Sequence, residues 1–123
     1  MYTSEALIRS SRAIGSEVRN PRGEDLGRVE DLVIAPDTGR VVYAVLSFGG
    51  VPGVGERWLA VPWEAFTIRQ EESSIARERY TFVLDVERER LAAAPGFHSQ
   101  GWPDRADLAR IYDYYGYRPY WEA

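Results

Sequence analysis

The sequence predicts a mainly β domain with a helical, aromatic C-terminal tail. Three observations carry this. Short apolar runs alternate with period two, turn signals separate them at close intervals, and residues 41–48 form a nearly unbroken apolar run. The 123 residues make one domain's worth of chain, 45% apolar and 28% charged, with sixteen aromatic residues available for a core.

In chain order, residues 1–13 read as a lead-in and residues 17–19 as a short strand. Asn20-Pro21-Arg22-Gly23 is a turn, with proline suited to its second position and glycine to its last. Residues 27–35 predict a longer strand with an irregular phase. Val29 and Val33 lie opposite in parity to Leu32 and Ile34, so either both faces are covered or Glu30-Asp31 carries a bulge. Pro36-Asp37-Thr38-Gly39 predicts a tight hairpin.

Residues 41–48 follow, with Val42, Ala44, Leu46 and Phe48 on one face and Val41, Tyr43 and Val45 on the other. A half-exposed antiparallel strand alternates apolar and polar residues; this one needs cover on both faces. Residues 49–55 are a glycine-rich connection. Residues 56–61 predict a strand ended by Pro62, residues 63–66 a short turn of helix, and residues 67–69 one more short strand. Residues 70–79 are polar and read as a loop. Residues 80–86 alternate, with Phe82, Leu84 and Val86 on one face, and residues 87–94 favour helix until Pro95-Gly96 stops it. Asp104 caps a helix running to about Tyr115, with Leu108, Ile111, Tyr112 and Tyr115 at helical spacing and Gly116 as its stop.

Composition narrows the chemistry. There is no cysteine, so disulfides, zinc–thiolate sites and thiol nucleophiles are excluded. All fifteen basic residues are arginine, which removes a phosphate-loop lysine and Schiff-base chemistry. His98 is the single histidine, so a multi-histidine metal site within one chain is excluded as well. Net charge is −4 and no block of sequence is strongly basic, which argues against a broad phosphate-tracking surface, although a local arginine patch remains open. No run is apolar enough to span a bilayer, and the N-terminus has no signal-peptide core, so a cytoplasmic location is expected.

The series Ile14-Gly15, Val18, Asn20 through Gly27, Val29, Asp31-Leu32-Val33-Ile34, Asp37-Thr38-Gly39, the strand from Val41, and Val61-Pro62-Trp63 resembles the PRC-barrel family. That family is named for a domain of the photosynthetic reaction centre H subunit. Phe82-Val83-Leu84-Asp85 and residues 91–97 fit the end of such domains, so the resemblance covers about residues 10–97. It implies a small, highly curved β-barrel of five or six strands over residues 14–97. Residues 98–123 would then be an aromatic extension. In the reaction centre this barrel lies behind a membrane helix; in ribosome maturation factors it follows a separate N-terminal domain and contacts a ribosomal protein. Neither accompanies it in these 123 residues, so a stand-alone bacterial member is expected. The family has no established catalytic residues to carry over.

Each candidate for chemistry has a plainer explanation. The loop at residues 49–55 lacks the lysine and the following helix of a phosphate loop. Asp85, Glu87 and Glu89, with Glu71-Glu72, would need a cleft to act as paired acids, and Arg88 and Arg90 interleave with them as on a solvated face. His98 beside Ser99 lacks a second histidine. Asp37-Thr38-Gly39 lacks the ligand alternation of a calcium loop. Arg9, Arg12, Arg19, Arg22 and Arg28 could form a basic face, but Glu17, Glu24 and Asp25 lie among them.

The aromatic tail carries the strongest functional expectation. Trp102, Tyr112, Tyr114, Tyr115, Tyr117, Tyr120 and Trp121 are large groups with polar tips, a composition suited to interfaces. The tail covers its own barrel, a second subunit or a partner. Tyr43, Val45, Trp102, Tyr112, Tyr115, Tyr117, Tyr120 and Trp121 are the candidate interaction surface. We expect a non-enzymatic interaction or assembly module, a homodimer with an unidentified protein partner, and no cofactor or metal. The resemblance offers two further readings: a factor associated with RNA processing or ribosome maturation, and a peripheral protein of photosynthetic reaction-centre assembly or electron transport.

Overall fold

The computed structural model describes residues 7–49, 57–71, 79–97 and 101–122. A single helical turn, α1 (Ser10–Ala13), leads into β1 (Glu17–Arg19). Then come β2 (Asp25–Ala35), β3 (Arg40–Phe48), β4 (Arg57–Pro62), a 3-10 turn (Trp63–Ala65), β5 (Phe66–Glu71) and β6 (Arg79–Leu84). Helices α2 (Arg88–Ala92) and α3 (Arg105–Tyr115) close the order.

The strands make one sheet in the order β4-β3-β2-β1-β6-β5, antiparallel except for β1 against β6. The outermost strands β4 and β5 are consecutive in the chain and are joined through the 3-10 turn, not by a ladder of hydrogen bonds. The sheet nevertheless curls around one core. Val18, Leu26, Val29, Leu46, Leu59, Val61, Phe82 and Leu84 fill it, with Phe66 and Ile68 of β5 against its edge. Ala13 and Leu91 plug it from α1 and α2.

Register shifts explain the irregular phase of β2. Leu26 is passed over in the pairing with β1, and Glu30 in the pairing with β3. Each extra residue flips the parity, so Leu26, Val29 and Leu32, three apart, all turn toward the same core. The bulge expected at Glu30-Asp31 is therefore present. A further one, at Val42 of β3, was not legible in the sequence. Val33 pairs with Tyr43 and Ile34 with Val41, which leaves Val42 unmatched. Val42 consequently packs with Tyr43 and Val45 and not, as the alternation predicted, with Ala44, Leu46 and Phe48.

Where β2 bends it presses against β3. Gly27 has φ +123°, and a Cβ there would lie 1.9 Å from the Ser47 carbonyl oxygen. No side chain fits. The turn before β2 is held by Asn20, which is buried. Its Oδ1 accepts the Arg22 and Glu24 amides at 3.1 and 3.0 Å.

Other elements are longer than the sequence indicated. β4 continues through Pro62, which an outer strand tolerates better than a central one. β5 runs to Glu71 because β6 pairs along its whole length. Of the polar loop expected over residues 70–79, residues 72–78 lie outside the described residues, as do residues 50–55 of the glycine-rich connection.

Two substitutions separate contact from conformation. Gly27→Ala should cost about 3 kcal/mol or more in urea denaturation, because both the positive φ and the backbone contact oppose a Cβ. Gly39→Ala, at φ +75° with nothing within 4 Å of its Cβ position, should cost only about 1 kcal/mol.

Candidate functional site

The second face of β3 is covered by the chain's own tail. Asp104 accepts the Asp107 amide at 2.8 Å, and Asp107 accepts the Asp104 amide at 3.2 Å. This reciprocal cap starts α3. Gly116, in the left-handed conformation, ends it, and the Tyr117 amide bonds back to the Tyr112 carbonyl at 3.0 Å. Between these ends Leu108, Ile111 and Tyr112 are buried on Val42, Tyr43, Val45 and Ala60. Each such side chain is worth about 1.5–3 kcal/mol. The three together rival the whole net stability of a small domain, about 5–15 kcal/mol, so α3 belongs to the fold.

Polar contacts fix the helix in place. The Tyr112 hydroxyl donates to the Val42 carbonyl at 2.5 Å, an oxygen on the residue that the β3 bulge leaves unmatched. Arg90 donates to the Tyr114 carbonyl at 2.6 Å and stacks over the Tyr114 ring, whose hydroxyl donates back to the Arg90 carbonyl. Arg57 donates to the carbonyls of Ala92 and Ala94, holding α2 against the outer edge of β4. Phe97 then adds one bridge to that edge, its amide bonding the Trp58 carbonyl at 3.0 Å.

The eight residues of the expected interaction surface therefore divide. Tyr43, Val45 and Tyr112 are interior, at 5%, 0% and 0% exposure; they are corrected from surface to core, because α3 seals the face on which they lie. Tyr115 is largely buried as well, and its hydroxyl has no hydrogen-bond partner among the described residues. Burial raises the Tyr43 hydroxyl to about 12 and pushes those of Tyr112 and Tyr115 up further. Trp102, Tyr117 and Tyr120 remain exposed. Trp102 lies on Phe97 with ring centres 5.6 Å apart. Trp121 is half-buried, packed edge-on to Tyr120 at 5.1 Å and capped by the Arg105 guanidinium at 4.5 Å.

Tyr120 and Trp121 form one wall of a groove of about 540 Å³. The β2–β3 hairpin makes the other wall, through Ile34, Ala35 and Pro36. Val42, Tyr43 and Leu108 lie at its floor, and Asp37, Arg40, Glu64 and Arg105 at its rim. Ile34 is half-exposed on this wall. Sequence reasoning found the aromatic side of the groove. It missed Ile34, Arg40, Glu64 and Arg105, which come from separate segments with no shared motif.

The other candidates gain no such setting. Asp85, Glu87 and Glu89 are exposed, and Glu87 pairs with Arg22 at 3.2 Å. His98, Ser99 and Glu72 lie outside the described residues. Among the described residues no group of three histidine, aspartate or glutamate side chains is placed to hold a metal, and no helix is long and apolar enough to cross a membrane.

The PRC-barrel domain profile matches residues 5–81. A curled six-stranded sheet of this kind, matched over more than half its chain, defines the class: the chain belongs to the PRC-barrel family. No curated protein gives a significant match. α3 and the groove's aromatic wall lie beyond the matched segment.

Tyr112→Phe should lower stability by about 1–3 kcal/mol in chemical denaturation, since it leaves the Val42 carbonyl without its donor. The raised tyrosine pKa values add a pH signature. The folded chain holds these protons more tightly than the unfolded chain, whose tyrosines titrate near pH 10. Their contribution is complete below pH 10 and declines as pH rises through 12. Stability should fall above pH 10, and less steeply in Tyr112→Phe.

Proposed function

We propose that this PRC-barrel protein is a non-enzymatic interaction module that docks an apolar segment of another protein in the groove between the β2–β3 hairpin and the C-terminal tail. The observation that carries this reading is the composition of that groove. Exposed Ile34 and Tyr120 stand over an apolar floor, with Trp121 and Arg105 stacked beside them. Tryptophan, tyrosine and arginine dominate binding hot spots because each pairs a large contact area with a directed polar group. The volume lies within the range of sites that enclose a bound group, about 300–1,000 Å³. Rim charges of both signs, Arg40 and Arg105 against Asp37 and Glu64, supply orientation with little net pull.

Homodimerisation now stands on different ground. The apolar outer face of β3 called for a second subunit only while it lacked cover, and α3 of the same chain supplies that cover. A dimer would have to use the groove or another exposed surface.

A photo-crosslinking amino acid in place of Ile34, in cells of the source organism, tests the reading. The expected product is an adduct with a different protein, weakened several-fold by Arg105→Glu and absent when the crosslinker replaces exposed Asp113. Adducts only with a second copy of this chain would assign the groove to self-association. Adducts only with RNA would favour the RNA-associated alternative.

A further inference from the structure

Arginines from five separate segments meet on a face that shares no lining residue with the tail groove. Arg12 lies on α1, Arg19 on β1, Arg28 on β2, Arg69 on β5 and Arg79 on β6. Strand pairing brings them together. β6 sits between β1 and β5, so Glu17 and Arg69 flank Thr81 on either side. The result is two adjoining troughs of about 450 and 330 Å³, which share Glu17 and Arg79.

Among the described residues five guanidinium groups there face two carboxylates, Glu17 and Glu71, on a chain whose net charge is −4. Glu17 is already engaged, by Arg19 at 3.1 Å and Arg79 at 4.0 Å. The Arg69 guanidinium has no hydrogen-bond or ion-pair partner among the described residues. Arg22, by contrast, turns away to Glu24 and Glu87, which hold its guanidinium pKa above the usual value. The basic face considered in the sequence is thus rearranged: Arg9 and Arg22 do not line the troughs, and Arg69 and Arg79 do.

We propose that this face binds an extended acidic polypeptide segment whose carboxylates pair with Arg69, Arg79 and Arg28. Charge complementarity selects an anionic partner. The interruptions select its kind. A nucleic-acid strand carries a phosphate at every nucleotide and gains from rings that stack its bases. Here Glu17 and Glu71 stand in the path of a continuous phosphate backbone. Among the described residues the one aromatic ring along the troughs, Tyr80, is buried at 7% exposure. Spaced carboxylates can pass Glu17 and Glu71 and still meet the arginines. Because the groups are exposed, binding is weak and steeply dependent on salt.

The test is fluorescence anisotropy of the full chain with a fluorescein-labelled peptide of alternating glutamate and serine. Saturable binding is expected, weaker by about tenfold between low and physiological salt. Arg69→Glu should weaken it by about tenfold or more and Arg69→Ala by less, both with unchanged thermal midpoints. Arg118→Glu, an equal charge change on the exposed tail, should leave it within about twofold. No saturable binding, or an equal loss in Arg118→Glu, would overturn the proposal. Tighter binding of an oligouridylate of equal charge would reassign the face to nucleic acid.

Discussion

Strand β3 carries apolar side chains on both faces, and a single sheet curled around a single core can bury only one of them. Ala44, Leu46 and Phe48 enter the core that all six strands share. Tyr43 and Val45 point out of it and would face water. α3 resolves this by laying Leu108, Ile111 and Tyr112 across them. Much else follows from that contact. Arg57 and Arg90 tie α2 to its neighbours, Phe97 lies along β4, and the last residues are carried back to the β2–β3 hairpin, where they build one wall of a groove.

Curvature is the second constraint. A sheet this short encloses a core only if its strands bend sharply, and the register shifts at Leu26, Glu30 and Val42 mark the bends. Gly27 permits the closest approach, with its α-carbon turned toward the Ser47 carbonyl. The bulge at Val42 has a second consequence. It frees the carbonyl that Tyr112 reaches, so a defect in the ladder becomes the anchor for the helix outside.

Function then falls on what this packing leaves uncovered. The tail buries Tyr112 in its contact with β3 and presents Tyr120 and Trp121 beside Ile34 and Arg105. The strand pairing β1-β6-β5 gathers arginines that no stretch of sequence holds together. One surface is apolar with balanced charge, the other polar with a positive surplus.

Elements whose signals are local were legible from the residues alone. The turns at Asn20 and Asp37, the alternation of β6, the cap at Asp104 and the stop at Gly116 each depend on residues a few positions apart, and each is where those residues indicated. The two-faced apolar character of β3 was equally legible, and it announced that a second layer must exist. What supplied that layer was decided only by the tertiary structure, since a helix of the same chain, a second subunit and a partner would bury the same face equally well. The same holds for the shift of Val42 to the outer cluster, because a bulge is a property of two paired strands and not of either alone. It holds also for the groove at Ile34 and the arginine face. Their residues lie tens of positions apart, and only the sheet order makes them neighbours.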